Sequence, residues 1–345
     1  MRKLQPVGAR VRWMLFCYWI LFWFHPFRNV LAWWVDLPTS TTGSGDTSFK
    51  VLLVFVELTV AVLASLILPK ERAPGWSTLS LVSRFILAAV LVEYGFLKIF
   101  QLQMSQPGIL RLTRALGDSS PMGLLWAFVG ASPAYQSLLG WVEVGGGLAL
   151  LWAPIRRFGI LVCLVATSQI FLLNLCYDVP VKTGSLHYLL LSILLCCLHL
   201  NEPVTEAARE AAWKRKLHLL AAIYILWSSL SLVWSYPQRE KAGPLNGIWQ
   251  AVEPHQVRHL LIPWPGVVVM EKFDGSRKGY RLERGEGWLK FGDFRLDFEL
   301  GDDTMKLCGQ VDGIDMDMRY NRKSLDDFNL RNHHFRWIQE RPDNR

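Results

Sequence analysis

"FGILVCLVATSQIFLLNLCYDVPVKTGSLHYLLLSILLCCLHL", residues 158–200, consists of two apolar runs joined by a polar junction. Each run is near the length a helix needs to cross about 30 Å of hydrocarbon, roughly 20 residues. Pro180 stops the first run, and Gly184 and Ser185 allow the second to start. Between them stand Asn174, Tyr177, Asp178, Lys182 and His187, an acid, a base and an imidazole where two greasy segments meet. The stretch reads as a membrane hairpin whose turn carries chemistry.

The rest of the chain repeats the pattern. Of 345 residues 51% are hydrophobic and 16 are Trp, and the mean hydropathy is +0.21. The apolar residues cluster before position 237 and thin out afterwards. Seven spans are expected, at about 13–35, 50–69, 79–100, 133–152, 158–177, 184–200 and 217–236. The first is interrupted by HPFRN at 25–29. It starts like a signal peptide but lacks a small-x-small cleavage site after its apolar core, so it reads as a retained signal anchor.

Lys and Arg set the orientation. The N-terminal tail (Arg2, Lys3, Arg10, Arg12), the loop with Lys70 and Arg72, the turn with Arg156 and Arg157, and the loop with Arg209, Lys214, Arg215 and Lys216 share one side if the spans number seven. The loop at 36–49 has neither residue type, and the loop at 101–132 has only Arg111 and Arg114. The N-terminus is therefore expected in the cytoplasm and the C-terminal part outside it. That orientation puts the 177–184 junction at the outer face.

The net charge of +8 is a consequence of this topology. From Gly243 on, 16 Lys and Arg face 17 Asp and Glu, so the excess lies in the membrane part. No basic patch with interleaved aromatics appears, which excludes a nucleic-acid partner. The six cysteines form no C-x-x-C, and Cys308 is alone after Gly243. They make neither a disulfide framework nor a thiol relay. His187 and His199 are 12 positions apart, about 120° around a helix and about 18 Å along it, so they do not form a haem pair. No metal-ligand spacing is present.

Polar residues inside the spans are the informative ones, since each costs about 2.5–3.5 kcal/mol at mid-bilayer on insertion scales. The third span holds Arg84, Glu93, Tyr94 and Lys98. Arg84 and Lys98 are 14 apart, within about 40° on one face, and Tyr94 lies one turn below Lys98. Both cations have the alternative of snorkelling to opposite interfaces. The fourth span holds Gln136 and Glu143, seven apart and on one face, with Gly140 and Gly145–Gly147 making a small-residue surface for close helix approach. Lys98, Tyr94, Asn174, Tyr177, Asp178, Lys182 and His187 all fall near the outer face. There Asp178 is expected to pair with Lys98 or Lys182. The same residues could instead line a small polar pocket.

These motifs carry a resemblance. "RFILAAVLVEYGFLKIFQLQM", "PMGLLWAFVG", "LLGWVEVGGGLALLW" and "NLCYDVPVKTGSLHYLLLSILL", over about residues 79–200, are similar to the DoxX-like family of four-helix membrane proteins. The resemblance implies a four-helix core with extra helices and a tail, and puts Arg84, Lys98, Glu143, Asp178 and Lys182 at family positions; Glu93 is not among them. It also implies a bacterial inner membrane, redox-complex protein partners and quinone as a candidate cofactor. The expected division is 1–78, N-terminal transmembrane helices; 79–200, the DoxX-like core; 201–242, a cytoplasmic loop and seventh span; and 243–345, an extracytoplasmic β domain.

That last part reads as about eight antiparallel strands, a barrel or sandwich: GIWQAV, RHLLI, GVVVMEKF, KGYRLER, FRLDFEL, TMKLCG, IDMDMRY and FRWIQE. DGS, GEG, GDD and VDG mark turns. The Gly247-x-Trp249 opening resembles lipocalin-like barrels. An interior filled by side chains and one holding a small ligand are both open to such a barrel. Three function classes follow: a membrane subunit of a redox complex, an assembly or anchoring protein presenting the β domain, and a small-solute transporter. Against transport, no inverted repeat or broken-helix pair is visible.

Overall fold

The computed structural model describes residues 8–35, 37, 44–199, 212–236, 243–253, 257–311 and 314–331. The chain divides into two compact units, Met1–Gln103 with Ala134–Tyr236, and Met104–Pro133 with Pro237–Arg345.

The first unit is helical: α1 (Ala9–Phe24), α2 (Arg28–Trp34), α3 (Ser48–Ile67), α4 (Trp76–Ile99), α7 (Pro133–Ala149), α8 (Arg156–Cys176), α9 (Lys182–His199) and α10 (Ala212–Ser235). The short α5 (Ile109–Leu112) and α6 (Pro121–Ala131) belong to the second unit. Among the described residues five helices are long and apolar enough to cross a membrane: α3, α4, α8 with the turn before it, α9 and α10. The two other expected spans are shorter. The one at 133–152 is a 17-residue helix, α7. The one at 13–35 is broken, because Pro26 disfavours helical backbone at the residue before it. α1 ends after 16 residues, with His25 in the left-handed conformation (φ 46°).

The 174–188 junction is built from helix ends. Asp178 takes the left-handed conformation (φ 52°) just past α8, and Val179 N–H returns to Asn174 O at 2.9 Å. This is the usual way of satisfying a helix's last carbonyls, with Asp where Gly is commoner. The start of α9 is capped from elsewhere in the chain. Asp46, in the loop before α3, accepts from Lys182 N–H (2.6 Å) and Thr183 N–H (2.9 Å). Gly45 N–H adds a bond to Pro180 O at 2.6 Å, and a Cβ on Gly45 would sit 3.0 Å from Val181 Cγ1. Asp46→Ala leaves two helix N–H groups without their acceptor. Thermal unfolding should show a loss of about 0.5–2 kcal/mol. Amide exchange should rise at 182–183, and unchanged exchange there would refute the capping role.

The second unit contains a closed eight-stranded antiparallel barrel, β1 (Gly247–Ala251), β2 (Val257–Trp264), β3 (Val267–Lys272), β4 (Arg277–Gly285), β5 (Trp288–Phe291), β6 (Phe294–Leu300), β7 (Thr304–Val311) and β8 (Ile314–Lys323), each pairing with the next. β1 closes on β8 through Ile248↔Lys323 to Ala251↔Tyr320. Alternation makes it work: in β6, Leu296 and Phe298 are buried while Arg295, Asp297 and Glu299 are exposed. Among the described residues sixteen buried apolar side chains, including Trp249, Phe291 and Tyr320, form the core. Arg322 on β8 lies over the Trp249 ring at 4.6 Å, tying the last strand to the first. The strand expected at FRWIQE lies outside the described residues. The eighth strand is instead Trp288–Phe291, between two turns, a segment that alternation does not mark.

The outer face of β2–β3 is covered. His259 and Glu271 are buried there, with His259 Nδ1 2.6 Å from Glu271 Oε2. Arg277 donates through Nε and Nη2 to Glu271 Oε1 at 2.9 and 2.6 Å. Its Nη1 and Nη2 also hold Leu110 O and Thr113 Oγ1 at 2.7 and 2.9 Å. The segment around α5 thus packs on the barrel through a buried charge network.

Candidate functional site

Two buried charges of the helical unit meet. Lys98 on α4 donates from Nζ to both oxygens of Glu143 on α7, each at 2.6 Å. Their side chains are 8% and 6% exposed. The small residues make this possible. A Cβ on Gly95 would lie 2.8 Å from Gly140 O, and one on Gly140 would lie 2.5 Å from Gly95 O, so the two backbones touch. Ser137 Oγ also donates to Ile99 O at 3.3 Å.

Two turns from Glu143, Gln136 is fully buried. Neither of its amide atoms has a hydrogen-bond partner among the described residues. Buried polar atoms in native proteins are nearly always paired, so such a group needs an explanation. Lys98 has three donors and Glu143 takes two. The pair therefore leaves one ammonium N–H, with a complete amide on the same face of α7.

The other expected residues divide into separate places. Asp178 does not take Lys98. It pairs with Lys182 one turn on (2.6 Å), with a side chain 83% exposed. Two acids compete for Lys98, and the close packing at Gly95 and Gly140 decides for Glu143. Tyr94 and Tyr177 are exposed. The 40° by which Tyr94 departs from the Lys98 direction is enough to turn it out of the interface. Asn174 serves the end of α8 through its carbonyl. Arg84 is buried at the far end of α4, where Nε donates to Ser80 O at 3.3 Å and Ser80 Oγ meets His199 Nε2. Fourteen residues, about 21 Å of helix, separate it from Lys98.

His187 belongs to a third cluster. Its Nδ1–H donates to Thr183 O at 2.6 Å, which leaves Nε2 to accept from Tyr18 O–H. Phe22 stacks on the imidazole at 4.1 Å and 9°. Next to it His25 Nδ1 lies 2.9 Å from Glu57 Oε1. Sequence reasoning does not mark Tyr18, His25, Asp46 or Glu57 as site residues. Glu57 has a clear signal, a lone acid inside "VLLVFVELTVAVLASLI".

Comparison with family models, with curated proteins and with solved structures gives no match, so the chemistry of these places is read from their own geometry.

Proposed function

We propose that the chain is a multi-pass membrane protein of DoxX-like type that serves as the membrane subunit of a redox-associated complex. In this reading the N-terminus is cytoplasmic and the barrel extracytoplasmic. The observation that carries the proposal is the buried Lys98–Glu143 pair, formed by two residues that the family resemblance marks. Its spare Lys98 donor and the unpartnered Gln136 amide suit a carbonyl-bearing, lipid-soluble ring such as a quinone. A quinone would supply electron-carrying chemistry when bound, while Lys98 and Gln136 would hold and orient its oxygens.

A second reading, an assembly or anchoring protein, has one observation in its favour. Sixteen buried apolar side chains pack the barrel's core, so the barrel offers its outer surface to a partner rather than a ligand cavity. Transport has no comparable support. The test is purification of the full chain from its own membrane in mild detergent, followed by lipid extraction and mass spectrometry of co-purifying proteins. Bound quinone together with a redox partner supports the first reading. Partners without quinone favour anchoring, and a folded protein with neither rejects both.

A further inference from the structure

We infer that Glu57 is a buried proton-binding site served by His25, separate from the Lys98–Glu143 pair and independent of the DoxX-like reading. α3 is a 20-residue apolar helix with one acid at its middle, and Glu57 is fully buried. Insertion scales charge such a residue about 2.5–3.5 kcal/mol, and intramembrane carboxylates are a functional-site hypothesis by default. Glu57 has one hydrogen-bond partner among the described residues, His25, through Oε1; Oε2 has none. This buried, unpartnered oxygen is the second observation that sets the site apart from a packed structural pair.

The backbone places the partner. His25 takes the left-handed conformation at the end of α1, and its imidazole reaches back to α3. His25 keeps 22% of its side chain exposed. With Nδ1 committed to Glu57, Nε2 is the nitrogen left to exchange with water. The titratable and charged groups around the carboxylate are Tyr18 from α1, His25 just past its end, Arg28 at the start of α2, Lys50 on α3 with Asp46 before it, and His187 on α9. Tyr18 is engaged with His187, and Asp46 with the start of α9.

Proton uptake then runs through the imidazole. The Nδ1–H bond of His25 breaks as an O–H bond forms at Glu57 Oε1, and Nε2 takes a proton from the aqueous phase. The imidazole ends neutral in its other tautomer and the carboxylate ends as a carboxylic acid. One proton is bound in all.

A hydrophobic carbodiimide tests this, because it modifies only protonated carboxyl groups in apolar surroundings. The full chain in detergent is treated with dicyclohexylcarbodiimide and its peptides are analysed by mass spectrometry. Glu57 should be labelled, and labelling should fall as the pH is raised. Glu57→Gln should lose the label. His25→Ala, which removes the relay, should slow the rise in Glu57 labelling that follows a drop in pH. Wild-type protein with no label on Glu57 at any pH where it is folded, or with the same label at every pH, would overturn the proposal. Neither result depends on the Gln variant folding.

Discussion

Lys98→Met is expected to destabilise the helical unit by about 3–5 kcal/mol, the usual cost of leaving one partner of a buried ion pair alone. The carboxylate of Glu143 takes two hydrogen bonds from Lys98 at 2.6 Å and is 6% exposed. Without the ammonium it is left buried with both of these hydrogen bonds lost. Glu143→Met should cost a similar amount for the converse reason. The double variant Lys98→Met with Glu143→Met should recover most of the loss, since well-packed apolar side chains often replace a buried pair at no net cost. Detergent-solubilised thermal unfolding of the four proteins closes the cycle. A double variant as unstable as the sum of the singles would show that the two residues do not act on each other. The double variant also separates structure from function. If the pair serves only packing, the folded double variant keeps its co-purifying partners and lipids; if it belongs to a binding site, it folds and loses them.

What the sequence can say about this pair, and what it cannot, has a physical cause. Lys98 and Glu143 are both conspicuous as charges in apolar runs, and the glycines announce close helix approach. Choosing between Glu143 and Asp178 as partner requires the rotation of α7 against α4. That rotation follows from which glycine meets which backbone atom, a tertiary property. The capping of α9 by Asp46 is invisible for a similar reason: donor and acceptor are 136 and 137 residues apart, and local signals describe neighbours. β5 escapes because four residues between two turns are too few to display alternation. The buried network of His259, Glu271 and Arg277 is hidden because strand periodicity marks these as outward positions, and only the covering segment makes them buried. The break at His25–Pro26 and the lone Glu57 are legible from composition alone. Their meeting is not, since it depends on the left-handed residue that turns the end of α1 toward α3.

The four glycines of α7 make a controlled comparison, because one sequence pattern hides different neighbours. Nothing stands within 4 Å of a Cβ on Gly145, whereas one on Gly140 would lie 2.5 Å from Gly95 O and 2.8 Å from Ile99 Cγ1. Gly146 faces Val162 of α8, and Gly147 faces Ala88 O of α4. Gly145→Ala should therefore be neutral or stabilise by up to about 1 kcal/mol, the difference in helix propensity. Gly140→Leu meets a backbone oxygen that cannot rotate away, so α4 and α7 must part. Overpacking of this kind costs about 1–3 kcal/mol by itself. Here it also pulls Glu143 away from Lys98, so the loss should approach that of Lys98→Met on top of the steric cost. The coupling gives the sharper test. In the background of Lys98→Met with Glu143→Met there is no pair left to open, and Gly140→Leu should then cost only its steric share. Unfolding measured in both backgrounds reads the difference. An equal loss in the two would mean that the close approach at Gly140 supports packing alone and does not hold the charged pair together.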